Sequence, residues 1–330
     1  MGIEGLAHPT PVLDSLKPVF ALGRLLLRTA LAAVSASIAA SLFVAYQVNG
    51  AGTREALGKQ RVAGREAQTV GYYDYGTGET VVLLASLARS VSDFNELTSA
   101  IVSAGFRTLA IESRGIGQSA GGGPFAAGTL HELAGDVLIV LRDAGIAEVE
   151  RVHVIGHAFG NRVARTLATD HPERVRSLTL IAAGGSGPVE PQVGRALVIS
   201  TLSFLPWIVR EPALRLAFFD GDNEIPEWWQ RGWWFWGGIG QAAAADATHS
   251  SEFWHGGNAP MLVLQAENDN VAPASQSGNL LGEAFPERVQ LVHIPSAGHA
   301  LLPEHPDLIR DATLPFLEAN RQQELALNAP

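Results

Sequence analysis

The sequence predicts an α/β fold, a mostly parallel twisted sheet flanked by helices, on two observations. Short apolar runs such as "RVHVIG" (151–156) and "PMLVLQA" (260–266) alternate with segments of helical period such as "GTLHELAGDVLIVLRDAG" (128–145). Buried strands that alternate with helices imply βαβ units and a parallel sheet. The composition, 47% hydrophobic and 17% charged, supplies enough apolar side chain for a substantial core. A chain of 330 residues accommodates one large domain with an insertion or two ordinary domains.

In chain order, residues 1–64 read as a leader. Its stretch "TALAAVSASIAASLFVAY" (29–46) carries no charge and follows Lys17, Arg24 and Arg28. That length lies at the boundary between a signal-peptide core and a spanning helix. The stretch is therefore expected to export the chain or anchor it to a membrane, with a soluble amphipathic leader, and so a cytoplasmic chain, as the alternative. The preceding positive charges favour the bulk of the chain outside the cytoplasm, although Arg54, Lys59, Arg61 and Arg65 work against this. A polar linker leads into the core, expected over 65–183 and 260–320. Segments 69–76 and 79–86 read as strands of a hairpin around Gly76 and Gly78. Strands are expected at 106–113, 151–156, 177–183, 260–266 and 289–296, and helices at 93–105, 128–145 and 158–175. Residues 321–330 form a tail.

Between 184 and 259 the alternation breaks, and all seven tryptophans fall there. The segment reads as a helical cap or lid over the C-terminal edge of the sheet, where open α/β sheets bind ligands. "PEWWQRGWWFWGG" crowds Trp228, Trp229, Trp233, Trp234 and Trp236 together. Burial in the insertion's own core explains some of them; the others are candidates to line a substrate pocket or a membrane-facing surface.

Several classes of partner are disfavoured. A net charge of -10 with no Lys/Arg-rich run argues against nucleic acid. With no cysteine there is no disulfide, thiolate nucleophile or Cys-ligated zinc. The histidines form no metal-binding helical pair, and "AGGGP" (120–124) lacks the flanking strand and Lys-Ser/Thr of a phosphate cradle. No metal and no cofactor is expected, and the partner is a small-molecule substrate.

Four stretches carry the chemistry. "VHVIGHAFGNRVAR" (152–165) has the strand, turn and helix layout of a G-x-S-x-G nucleophile elbow, with Ala158 at the serine position. "LVLQAENDNVAP" (262–273) places Asp269 after a late strand with Pro273 four residues on, and Glu267 competes for the same role. "IPSAGHALLPEHP" (294–306) supplies His299, and "IESRGIGQS" (111–119) places Glu112 before an Arg-Gly turn. Taken in order, elbow then acid then histidine, these motifs resemble the α/β-hydrolase superfamily over about residues 65–320. The resemblance implies a His299–Asp269 pair in which the carboxylate fixes the imidazole tautomer. It implies an oxyanion hole from the backbone N–H groups of Phe159 and Leu87. Ala85 and Ser86 stand where the family has His-Gly, so Ser86 or Arg89 is a candidate to support that loop. His157 is expected to pack beside the elbow.

Alanine cannot form an acyl-enzyme. Three readings remain open at this level: a serine esterase or lactonase silenced by an engineered alanine, a native alanine with His299 and Asp269 acting as base on water or on a substrate proton, or a non-catalytic ligand-binding protein. The intact acid and histidine loops favour a hydrolase of a small, largely apolar ester, lactone or related carbonyl compound, because a drifting binder has no need of a positioned base.

Overall fold

The computed structural model describes residues 11–65, 68–121 and 128–321, and the chain divides into two compact units at Gln47/Val48. The end of the tail (322–330) and most of "AGGGP" (122–124) lie outside the described residues. Among the described residues the first unit is one helix, α1 (Pro11–Gln47), whose apolar part Phe20–Gln47 is 28 residues long with mean hydropathy 1.8. Leu25, Leu31, Ile38 and Phe43 stay more than half exposed. Two hydroxyls within it are satisfied by the helix itself: Thr29 Oγ1 donates to Leu26 O and Ser37 Oγ to Ala33 O, each at 2.9 Å.

The second unit holds, among the described residues, an eight-stranded sheet. Its strands are β1 (Lys59–Arg65), β2 (Gln68–Gly76), β3 (Glu79–Leu84), β4 (Phe106–Ile111), β5 (Val152–His157), β6 (Val175–Ile181), β7 (Met261–Ala266) and β8 (Val289–Ile294). They lie in the order β1-β2-β4-β3-β5-β6-β7-β8, parallel from β4 through β8, with β1 and β2 antiparallel. Residues 48–65, expected as leader and linker, belong to this unit and contribute an edge strand.

The hairpin expected over 69–86 does not form, because β4 lies between β2 and β3. Strand β3 is buried along nearly its whole length, as suits a strand with parallel partners on both edges. The turn instead passes over the start of β4. A Cβ on Gly76 would stand 2.7 Å from Phe106 O, and one on Gly78 2.3 Å from Gly105 O. Both glycines also have positive φ. They mark a close crossing rather than a two-strand turn.

Helices α2 (Asn95–Ser103), α3 (Leu130–Asp143) and α4 (Phe159–Asp170) alternate with the strands. Val137, Val140, Leu167 and Val154 anchor one buried cluster, and Phe94, Ile101, Leu83 and Ile155 a second. Between β6 and β7 come α5 (Pro191–Thr201), α6 (Trp207–Ala217), the single turn α7 (Glu227–Gln230) and α8 (Phe235–Asp246). A third cluster of Phe218, Phe219, Trp229 and Trp233 holds this segment together. After β7 follow α9 (Gly278–Ala284), then α10 (Leu301–Glu304) and α11 (Pro306–Ala319) beyond β8.

Candidate active site

The parallel strands end on one edge of the sheet, and their following turns meet there. Ala158, directly after β5, adopts φ 49° and ψ -108°. A non-glycine residue pays roughly 1–2 kcal/mol for such a left-handed backbone. The flanking glycines are needed for steric reasons: a Cβ on Gly156 would come within 2.5 Å of Asn161, and one on Gly160 within 2.0 Å of Leu84 O. Asn161 Nδ2 donates to Ala182 O at 3.0 Å and Ala158 N to Ile181 O at 2.9 Å, tying the turn to β6. The elbow backbone is thus complete although its apex carries only a methyl group.

His299 Nδ1 lies 2.8 Å from Asp269 Oδ2, with both side chains almost fully buried. The other carboxylate oxygen of Asp269 accepts Val271 N–H at 2.9 Å and Ala272 N–H at 2.7 Å. Burial pushes the Asp269 carboxyl upward, but the His299 charge and these hydrogen bonds outweigh it and lower its pKa. Glu267, the competing acid, is exposed and accepts Ser296 N–H at 3.3 Å instead. The histidine loop is fixed from two sides. Ala300 N donates to Phe218 O at 2.8 Å and Gly298 N to Glu304 Oε2 at 2.9 Å. A Cβ on Gly298 would stand 2.5 Å from Phe218 O.

His157 packs beside the pair, its Nε2 3.0 Å from His299 O and its ring centroid 6.0 Å from that of His299. Burial, and then the neighbouring His299, push its pKa down to about 3. It is therefore a neutral imidazole that accompanies His299 without adding a second charge.

In front of His299 lies a cavity of about 250 Å3 whose wall includes Ala158, Phe159, Leu87 and Trp233. The N–H groups of Leu87 and Phe159, two residues of that wall, have no acceptor among the described residues. Of the five candidate tryptophans, Trp233 alone lines this cavity. Trp229 is fully buried behind it, edge-on to Phe218, Phe219 and Trp233. The other three pack against residues 48–54. Arg54 stacks 3.7 Å above the Trp228 ring, Trp234 Nε1 donates to Thr53 Oγ1 at 3.1 Å, and Trp236 N donates to Asn49 Oδ1 at 3.4 Å. Aromatic crowding in sequence therefore serves mostly burial and the docking of the unit's own first residues.

The loop after β3 is held by Arg89. Its guanidinium forms a fork with Asp93 at 2.8 Å for both bonds, donates to the carbonyls of Trp228, Arg231 and Gly232, and lies over the rings of Trp229 and Trp233. Gln241 Oε1 on α8 accepts Ala88 N–H at 2.7 Å. Glu112 lies apart from the cavity wall, buried, accepting Gln118 N–H at 3.0 Å with its pKa raised by burial. Among the described residues no group of three or more metal-ligating side chains converges.

The sequence reading missed Arg162, Phe218 and Asp246, which also line the cavity. Arg162 could have been found from position: three residues after Phe159, it shares that residue's face of α4. Phe218 and Asp246 come from the region without a strand pattern, where no periodicity signals which side chains turn inward.

A family model described as the alpha/beta hydrolase family matches residues 81–312. A 2-hydroxy-6-oxononadienedioate/2-hydroxy-6-oxononatrienedioate hydrolase of Cupriavidus pinatubonensis is 33% identical over 146 residues, 43% of this chain and 48% of that protein. Epoxide hydrolase B of Mycobacterium tuberculosis is 36% identical over 121 residues, 37% of this chain and 31% of that protein. The chain spans about half the length, or less, of these curated relatives. A crystal structure of a membrane phospholipase A, a bacterial virulence factor, superposes with TM-score 0.63 at 20% identity, covering 92% of this chain and 99% of that one. With a family match across most of the sheet and every turn around the cavity, the chain belongs to the alpha/beta hydrolase family.

Proposed function

We propose that the chain hydrolyses a small, largely apolar ester, lactone or related carbonyl compound, with His299 and Asp269 acting as a general base on water. The observation that carries this reading is the buried 2.8 Å His299–Asp269 contact facing a cavity with two free backbone donors. With Nδ1 engaged by Asp269, Nε2 of His299 is left to take a proton from water. The hydroxide adds to the substrate carbonyl, and the resulting oxyanion accepts hydrogen bonds from Leu87 N–H and Phe159 N–H. Collapse of the tetrahedral species expels the leaving group, which recovers the proton from His299. Ala158 leaves room for water where an attacking hydroxyl would stand. The relatives' names, a dienedioate hydrolase and an epoxide hydrolase, support hydrolysis as the reaction class. The helical segment 184–259 acts as the cap that closes the cavity.

His299→Ala is expected to abolish turnover of phenyl esters, and Asp269→Asn to lower it by a factor on the order of 10⁴ through the wrong tautomer. Equal activity of both variants and the parent sinks the general-base reading. Absence of turnover in the parent leaves the ligand-binding protein that the alanine at the elbow would also allow.

The reading extends to α1 as a membrane anchor that places the second unit outside the cytoplasm. From Thr29 to Gln47 the helix carries no charged residue and rises about 28 Å, close to the roughly 30 Å hydrocarbon thickness of a bilayer. The fold likeness to a protein named as a membrane phospholipase extends over most of the chain, which agrees with this. The full chain is expected in the membrane fraction after an alkaline wash, and a chain starting at Val48 in the soluble fraction. Recovery of both in the soluble fraction overturns the anchor.

A further inference from the structure

We propose that Arg162 forms an anion subsite in the cavity and that the substrate carries a carboxylate a few carbons from the bond that is cleaved. This rests on the hydrolytic reading above and narrows its substrate class. Arg162 follows Phe159 by three residues on α4, about 4.5 Å along the helix axis and on the same face, and both line the cavity that Ala158 borders.

Its guanidinium is poorly matched by protein. Among the described residues its one hydrogen bond is a long one, Nη2 to Gly185 O at 3.5 Å, and no carboxylate lies within ion-pair distance. Most other arginines of this unit have such a partner: Arg89 has Asp93, Arg107 has Asp74 and Arg114 has Asp136. Asp246 on α8, the one acid in the cavity wall, is exposed and attracts Arg162 from beyond that distance. Burial lowers the Arg162 pKa, and the Asp246 charge only partly restores it.

A second positive charge stands behind the first. Arg165 is fully buried, its Nη2 donating to Asn161 Oδ1 and Gly184 O, each at 3.1 Å, while Nε and Nη1 find no acceptor. Two guanidinium groups one turn apart, against the single exposed carboxylate of Asp246, make this end of the cavity electropositive. Gly184 keeps space there, since a Cβ would approach Arg162 Nε to 3.0 Å. A planar guanidinium with open donors matches a carboxylate bidentately. The rest of the wall, with Leu87, Leu197, Phe218, Trp233 and Val271, suits an apolar chain between that carboxylate and the reacting carbonyl.

The test is calorimetric binding of two ligands that share one chain length, adipic acid monoanilide and neutral hexananilide. The parent protein is expected to bind the carboxylate at least about tenfold more tightly, equivalent to 1.4 kcal/mol. That ratio should fall to about one in Arg162→Gln and to an intermediate value in Arg162→Lys, each checked for folding by its thermal melt. A ratio near one in the parent, or a ratio that survives in Arg162→Gln, overturns the subsite. Turnover of phenyl hexanoate is measured in parallel. Turnover without a carboxylate preference removes the subsite and keeps the hydrolase, whereas a carboxylate preference without turnover of any ester does the reverse.

Discussion

Two turns border the cavity, and each carries an alanine in a left-handed backbone: Ala158 at φ 49° after β5, and Ala88 at φ 57° after β3. They are held by different means. The elbow at Ala158 is a steric device, in which Gly156 and Gly160 remove the Cβ atoms that would collide with Asn161 and Leu84. The turn at Ala88 is an electrostatic one, held by the Arg89–Asp93 fork and by Gln241 from α8. Two turns on the wall of one cavity can thus hold the same unfavourable backbone angle by unrelated means, one steric and one electrostatic.

The largest effect is expected of Ala158→Ser, which tests whether the elbow still presents its apex to His299. The variant is expected to label covalently with a fluorophosphonate while the parent does not. If the alanine occupies a former serine position, ester hydrolysis should rise by several orders of magnitude, in line with the roughly 10⁶ cost of losing such a serine in a comparable triad. If water is the native nucleophile, the variant gains ester hydrolysis and loses the original reaction, because its hydroxyl fills the space of that water. A folded variant that neither labels nor hydrolyses any ester shows that His299 does not reach residue 158.

The second turn is tested through its staple. Arg89→Met leaves Asp93 buried without its partner and is expected to cost about 3–5 kcal/mol in chemical denaturation. Gln241→Leu, which only strands Ala88 N–H, should cost about 1–3 kcal/mol. If Arg89→Met costs no more than Gln241→Leu, the fork is not what holds the turn and the contrast with the elbow fails.

The two turns also differ in how far the sequence betrays them. Gly156, Ala158 and Gly160 lie within five residues, and the constraint is local enough to be read as a motif. The acid and histidine loops are legible for the same reason, since Asp269 with Pro273 and Gly298 beside His299 are local patterns. Asp93 is four residues from Arg89, but Gln241 and the carbonyls that complete the hold on Ala88 and Arg89 lie about 140 to 153 residues away, in a segment whose tryptophans conceal which side chains turn inward. The same distance explains why five tryptophans suggested a pocket lining that only Trp233 provides. Strand order failed locally in one place: Gly76 and Gly78 look like a hairpin in sequence, because nothing there announces that β4 will insert between their strands.

Ala158 also bears on how such a site changes over generations. Alanine codons of the form GCN and serine codons of the form UCN differ by one base. The unfavourable backbone angle at this position, worth roughly 1–2 kcal/mol, is already met by the folded chain, and the glycines on either side already clear the space. A single transversion would therefore set an oxygen on the apex with no remodelling of the turn. In heredity as in geometry, the alanine and serine forms of this fold are nearest neighbours.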